Sequence, residues 1–142
     1  MNRRTPALGS TGRSNFVARF GLRDDESAAA AVVEEATRRG LEVVRLSFAD
    51  QHGVLRGKTL ALSELESAMA NGCTMVTTLL TKDTAHITAY PAFTKGGGFG
   101  MAEMTGASDF VMVPDPATFR VLPWAEATGW LLPAPPRPPL AA

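Results

Sequence analysis

The segment 108–125 reads SDFVMVPDPATFRVLPWA and decides the fold more than any other stretch of this 142-residue chain. Its apolar residues predict two short strands, Phe110–Val113 and Phe119–Leu122, on either side of a proline turn. In the turn Pro114–Pro116 the prolines fix backbone φ, and the aspartate between them can accept a hydrogen bond from its own turn. We expect Thr118 to tie the turn from its far side.

Upstream, the sequence predicts a helix followed by a β-hairpin. Acidic residues begin the segment Glu26–Arg39, arginines end it and Gly40 follows, all of which favour a helix there. Over Leu41–Ala49 apolar and polar residues alternate, which predicts a half-buried strand. The turn Asp50–Gly53 leads into a partner strand, Val54–Leu62.

The remaining elements are shorter. Ser63–Glu66 has the pattern of a capping box and predicts a short helix that ends at Gly72. Further strands are predicted over Met75–Leu80 and Trp130–Leu132, and the glycines of 96–100 predict a mobile loop. The order of helix, hairpin, helix and several short strands predicts an α+β fold, a sheet with helices packed on one face.

Composition excludes several classes of partner. Lys and Arg together number 14, as do Asp and Glu, so the balanced charge gives no reason to expect nucleic acid or an acidic membrane surface as partner. No apolar run approaches the roughly 20 residues that cross a bilayer. The single Cys73 cannot form an intramolecular disulfide. We therefore expect a reduced, cytoplasmic protein.

The two ends of the chain differ in composition from the middle. Residues 1–23 are rich in Gly, Ser, Thr and Pro, and we expect a disordered extension there in preference to an organelle transit peptide. The tail 133–142 is rich in proline and predicts a disordered, extended segment. Residues 24–132 between them form the expected folded domain.

Residues suited to catalysis are sparse. His52 and His86 stand far apart, and neither has a metal-ligand partner at helical or loop spacing. The residues after Gly100 lack the Lys-Ser/Thr of a phosphate loop, so the glycine cluster is interpreted as a loop and not as a nucleotide site. Cys73 follows the glycine that ends a helix and is expected to be a buried, inert thiol.

Two segments of the sequence resemble parts of the N-terminal β-grasp domain of glutamine synthetases. The segment 108–125 resembles the end of that domain, with its Pro-Asp-x-x-Thr turn and its strand running into Pro-Trp. The segment Val44–Gly53, followed by Arg56-Gly57-Lys58, resembles the first hairpin of the same domain. The resemblance covers Leu41–Leu132 and implies a β-grasp-like mixed sheet with helices on one face.

The resemblance also implies a function for the parent enzyme. Glutamine synthetases use ATP and Mg²⁺ or Mn²⁺ to activate the γ-carboxylate of glutamate, which ammonia then attacks. Relatives of the same build join glutamate to amines or polyamines. Most ligands lie in a large C-terminal catalytic domain, and the N-terminal domain packs against that of the same or a neighbouring subunit in a homo-oligomer. The family resemblance therefore places no cofactor or metal site in this chain.

The sequence departs from the family at two places. The family's Phe-Asp-Gly-Ser-Ser, whose aspartate helps to bind ammonium, is replaced by Cys73–Thr78, and Asp83 is the nearest acidic candidate for that catalytic role. This leaves room for an amine as the substrate. The chain also passes into its proline-rich tail where the family continues, so we expect a fragment that is inactive alone. The alternative is a non-catalytic β-grasp module for binding or regulation.

Overall fold

The structure is a computed structural model, and it describes residues 15–106 and 108–134. None of the helices in these ranges is both long enough and apolar enough to cross a membrane. The elements are three helices, α1 (Phe16–Arg19), α2 (Glu26–Arg38) and α3 (Leu65–Asn71), and six strands, β1 (Val43–Ala49), β2 (Leu55–Ala61), β3 (Cys73–Val76), β4 (Asp109–Met112), β5 (Arg120–Val121) and β6 (Thr128–Leu131).

Four of the strands form a mixed sheet in the order β2-β1-β6-β5. The central pair, β1 and β6, is parallel, and the two outer pairings are antiparallel. Strands β3 and β4 form a separate antiparallel pair. The two sheets meet where the rings of Phe48 and Phe110 pack edge to face with centroids 5.5 Å apart. The predicted α+β, β-grasp-like mixed sheet is confirmed.

The core lies between the four-stranded sheet and the helices. Val44 and Leu46 alternate with exposed or half-buried residues along β1, and both are completely buried with Leu131 of β6. They join the buried face of α2 and the buried leucine and methionine of α3 in one apolar cluster. Helices therefore cover one face of the sheet, as predicted. Removing this apolar surface from water is the main stabilising contribution to such a fold.

Helix α2 has the ends that the sequence predicts. The Asp25 carboxylate accepts a hydrogen bond from the backbone N–H of Ser27 at 2.8 Å and satisfies one free donor of the first turn. At the other end Gly40 has φ +64°, the left-handed conformation that glycine adopts without steric cost.

The proline turn connects β4 to β5 and is fastened to the chain beyond β6. The Asp115 carboxylate accepts from the backbone N–H of Ala117 at 3.0 Å. The Thr118 hydroxyl donates to the carbonyl of Asp115 at 2.7 Å and accepts from the N–H of Leu132 at 2.9 Å. Thr118 thus ties the turn from its far side, as predicted, by bonding to a residue distant in sequence.

The predicted disordered extension 1–23 is wrong for residues 15–23. Val17 of α1 is completely buried, and the backbone N–H of Phe16 donates to the Asn71 side chain at 3.3 Å. The Arg23 guanidinium donates to the carbonyl of Pro114 at 3.0 Å. Long-range packing orders a segment whose composition alone favours disorder. Residues 1–14 lie outside the described residues.

The predicted disordered tail 133–142 also begins too early. Pro133 forms an isolated bridge with Pro114, and the N–H of Ala134 donates to the carbonyl of Val113 at 2.7 Å. A proline can accept at the edge of a ladder although it cannot donate, so its presence does not exclude this pairing. Residues 135–142 lie outside the described residues.

Two further local predictions differ from the structure. Ser63 lies inside a 3-10 turn, and α3 begins without a side-chain cap hydrogen bond, so the capping box is wrong. The N–H of Leu62 donates to the carbonyl of Glu42, which carries the hairpin ladder directly into the turn. The predicted strand Met75–Leu80 is wrong beyond Val76. Val76 pairs with Asp109, the first residue of β4, so no strand partner remains for the residues that follow, and they form a 3-10 turn.

We predict that Thr118→Val destabilises the domain by about 1–3 kcal/mol, because the shape is kept while the N–H of Leu132 loses its acceptor. Urea denaturation followed by circular dichroism measures the change. Thr37→Val is the matched control, since the exposed Thr37 hydroxyl donates to the carbonyl of Val33 within its own helix. Equal stability of the two variants would show that the turn does not depend on this hydrogen bond.

Candidate functional site

Asp50 and Arg56 form an ion pair at the end of the β1–β2 hairpin. One Asp50 carboxylate oxygen accepts from the backbone N–H groups of His52 at 2.8 Å and Val54 at 3.0 Å. The other accepts from the Arg56 Nε at 2.6 Å. The Asp50 side chain has no exposed surface and that of Arg56 is 8% exposed, so the pair is shielded from water.

Arg56 also holds the hairpin against the segment that follows β3. Its Nη1 contacts the Nδ1 of His86, and its Nη2 donates to the carbonyl of Asp83 at 3.4 Å. A second link runs from the Gln51 side chain to the carbonyl of Lys82 at 3.4 Å. The guanidinium therefore joins the hairpin to the start of the long connection between β3 and β4.

The charge on Asp50 is stabilised where it lies. Burial raises the pKa of the Asp50 carboxyl, but the hydrogen bond from Arg56 and those from the His52 and Val54 N–H groups outweigh burial and lower the pKa below its ordinary value of 3.8. The group is ionised at neutral pH and its lone pairs are occupied by donors. This arrangement positions the hairpin turn and offers no free base.

Asp83, the candidate for the catalytic role, stabilises the turn in which it lies. Its carboxylate accepts from the N–H of Ile87 at 2.7 Å, and its backbone N–H donates to the carbonyl of Ile87 at 2.9 Å. The structure brings Asp83 and His86 beside Arg56, whereas His52 in the hairpin turn is exposed. Cys73 is half-buried in β3, not fully buried as expected.

The Asp50–Arg56 pair is a feature that the sequence reasoning missed. The sequence pattern identifies Asp50 as a turn residue, and the predicted hairpin already places Arg56 close to it. In the ladder Arg56 pairs with Phe48, two positions before Asp50. Opposite charges that flank a tight hairpin turn are therefore the signal that could have identified the pair.

The described residues do not form a metal centre. Among them there is no group of three or more His, Cys, Asp or Glu side chains that could hold a metal ion. A divalent cation such as Mg²⁺ requires several oxygen ligands around one centre, and the described residues do not provide such a cluster.

An aromatic loop, residues 87–101, carries several exposed apolar side chains. Phe93 is 78% exposed and Phe99 is 65% exposed. The Phe99 ring packs against the ring of Tyr90 with centroids 4.6 Å apart, and the Tyr90 hydroxyl donates to the carbonyl of Met104 at 3.3 Å.

The sheet face opposite the helices is a second open surface. A shallow cavity of about 300 Å³ lies there, lined by Arg45, Ser47, Leu55, Leu122, Trp124 and Trp130. The Trp124 side chain is 74% exposed. Exposed tryptophan beside arginine is typical of surfaces that another protein covers.

We predict that Arg56→Met lowers the free energy of unfolding at pH 7, because it leaves the buried Asp50 carboxylate without its cation. Since the folded pKa of Asp50 lies below 3.8, the ion pair stabilises the fold above about pH 4 and is lost as the pH falls through the folded pKa. The difference between variant and parent should therefore shrink in acid. Urea titrations between pH 7 and pH 3 measure it.

Arg38→Met is the control for that experiment. Arg38 is a largely exposed partner of Glu35 on the surface of α2, so its removal should change stability much less. Equal effects of the two variants at pH 7, or a gap that widens in acid, would contradict the assigned role of Arg56.

Comparison with known proteins identifies relatives of one kind. No family model matches the chain. A gamma-glutamylanilide synthase from Acinetobacter sp is 42% identical over 123 residues, which cover 83% of this chain and 25% of that protein. A glutamine synthetase from Mycobacterium tuberculosis is 32% identical over 103 residues, which cover 69% of this chain and 18% of that protein.

One solved structure has a similar fold over most of this chain. A structure titled "Apo GmaS without ligand" matches with a TM-score of 0.51 and 24% identity, covering 71% of this chain and 20% of that one. The chain thus spans a quarter or less of the length of the relatives that it matches. The chain belongs to the glutamine synthetase family and corresponds to its N-terminal β-grasp domain.

Proposed function

We propose that this chain is the N-terminal domain of an ATP-dependent ligase that joins an amine to the γ-carboxylate of glutamate. The observation that carries the proposal is the 42% identity over 83% of the chain with a protein named gamma-glutamylanilide synthase. The glutamine synthetases that match are 31–32% identical over 69% of the chain. The more similar relative is therefore the one named for an amide of an aromatic amine.

Two features of the chain favour an amine over ammonia. The family's Phe-Asp-Gly-Ser-Ser is absent after Gly72, where the sequence is Cys73–Thr78. Asp83, the nearest acid, bonds to the N–H of Ile87 in its own turn. A carboxylate that would attract ammonium is thus not offered at this position, whereas an uncharged arylamine does not require one.

The proposed role of the domain is to complete an active site, and not to carry one. The relatives are about four or more times as long as the part that this chain matches, and we place ATP, Mg²⁺ or Mn²⁺ and glutamate in the unmatched part. The partner is a glutamine synthetase-like catalytic domain of the same or a neighbouring subunit in a homo-oligomer. The open sheet face with Trp124 and Trp130 is the docking surface that we assign to it. We place the enzyme in the cytoplasm.

The alternative function, a non-catalytic β-grasp module for binding or regulation, gains no support from a specific observation. Both named groups of relatives are synthetases, and their similarity to this chain extends over most of it. The ligase proposal therefore accounts for the similarity more directly.

A chimera tests the proposed function. We predict that the Acinetobacter protein remains active when this chain replaces the matching quarter of it, and that it then forms γ-glutamylanilide, ADP and inorganic phosphate from glutamate, aniline and ATP in the presence of Mg²⁺. This chain alone should form none of these products. Mass spectrometry detects the amide, and size-exclusion chromatography against the parent protein controls for assembly. Turnover by the chain alone, or a correctly assembled chimera that is inactive with every amine, would contradict the proposal.

A further inference from the structure

The aromatic loop leaves several large apolar side chains open to solvent. Three of them are more than half exposed: Ile87 by 62%, Phe93 by 78% and Phe99 by 65%. Exposed apolar side chains that are gathered on one short loop favour a binding surface. Phe99 and Tyr90 already form a tilted aromatic pair, with an angle of 38° between the rings.

The loop is built around close backbone contacts. A Cβ on Gly97 would lie 2.1 Å from the carbonyl oxygen of Pro91, and a Cβ on Gly98 would lie 2.7 Å from the backbone of Met104. The Thr105 hydroxyl donates to the carbonyl of Gly97 at 3.0 Å. The close approach of neighbouring backbone therefore requires glycine at both positions. Mobility, which the sequence predicts for this loop, is not needed to explain these glycines. The contacts hold the residue that follows them in place.

Phe99 adopts a conformation that its own side chain disfavours. Its φ is +58° and its ψ is +27°, in the left-handed region where a bulky residue is an outlier. Burial does not compensate for this strain, because the ring is mostly exposed. Strained residues that gain little from packing are concentrated at functional sites, and glycine would fit the backbone here with less strain.

The chemistry of the surface selects a flat, uncharged ring. Tyr90 is buried and its hydroxyl is bonded to the carbonyl of Met104, so the pair presents ring surface rather than a free hydroxyl. Aromatic rings prefer offset or edge-to-face partners, which a third ring beside Phe99 would supply. An ammonium ion would lose part of its hydration against such a surface, and in return it would gain only the weak cation–π contact that an exposed ring offers.

We propose that the aromatic loop binds the ring of the aromatic amine substrate, with Phe99 stacked on that ring and Tyr90 supporting Phe99. This inference rests on the proposed function, since the amine is the substrate of that reaction. Phe99 is a specificity-determining residue in this proposal, and the catalytic groups lie elsewhere.

Kinetics of the chimera test the proposal. Phe99→Gly removes the ring and also relieves the backbone strain, so the variant should remain folded. We expect kcat/KM for aniline to fall about tenfold, mainly through KM, while kcat/KM for methylamine is unchanged. Phe20→Ala is the control, because Phe20 is 52% exposed but lies beyond α1. Unchanged selectivity between aniline and methylamine in Phe99→Gly overturns the inference and leaves the proposed function intact.

A titration of this chain separates the two failures. We expect aniline to shift the ring resonances of Phe99 and Tyr90 in NMR spectra, and cyclohexylamine, which is charged at neutral pH, to leave them in place. If the chimera is inactive with every amine, the proposed function fails and this titration decides whether the loop binds arylamines. Shifts that follow protein concentration instead of aniline would assign the surface to a second copy of this chain and overturn the proposal.

Discussion

The parallel pairing of β1 with β6 holds the two halves of this domain together. It places Val44 opposite Gly129 and Leu46 opposite Leu131, and it makes β1 a central strand with a partner on both sides. A Cβ on Gly129 would lie 3.1 Å from the side chain of Leu41 and 3.0 Å from that of Phe119, so a residue without a side chain suits this close approach. The apolar layer under α2 depends on this register, because a shift by one residue would turn Val44 and Leu46 to the other face.

The hairpin that contains β1 also anchors the less regular part of the chain. Arg56 lies near the start of β2, where it pairs with the buried Asp50 and donates to the carbonyl of Asp83. Removing either charge would leave the other buried without compensation, so the link is costly to break. The same sheet that forms the core therefore positions the start of the connection that carries the aromatic loop.

In the proposed function, the two open surfaces have different roles. The sheet face with Trp124 combines aromatic and cationic side chains, which suits the catalytic domain that we propose for it. The aromatic loop is held by close backbone contacts at its glycines and by Tyr90, which suits the ring-sized ligand that we propose there. A domain without a metal centre among its described residues can still affect substrate choice, because specificity depends on what surrounds the reacting atom.

Local chemistry explains what the sequence by itself determined. The alternation of Val44 and Leu46, the glycine after α2, and the bonds within the proline turn from Ala117 N–H to Asp115 and from Thr118 to the carbonyl of Asp115 are local features, and the structure confirms each of them. The two segments that resemble the glutamine synthetase family are recognised from the same kind of local pattern. Most of the regular elements and the fold class were therefore predictable.

Contacts between distant segments decided the rest. Val17 is ordered because it packs into the fold, Pro133 pairs with Pro114, and the strand predicted beyond Val76 ends because β4 provides no longer partner. The burial of Asp50 and the exposure of Phe99 likewise depend on which surfaces meet in space. Composition and periodicity report on the preferences of a segment, whereas burial and pairing depend on partners that only the folded chain brings together.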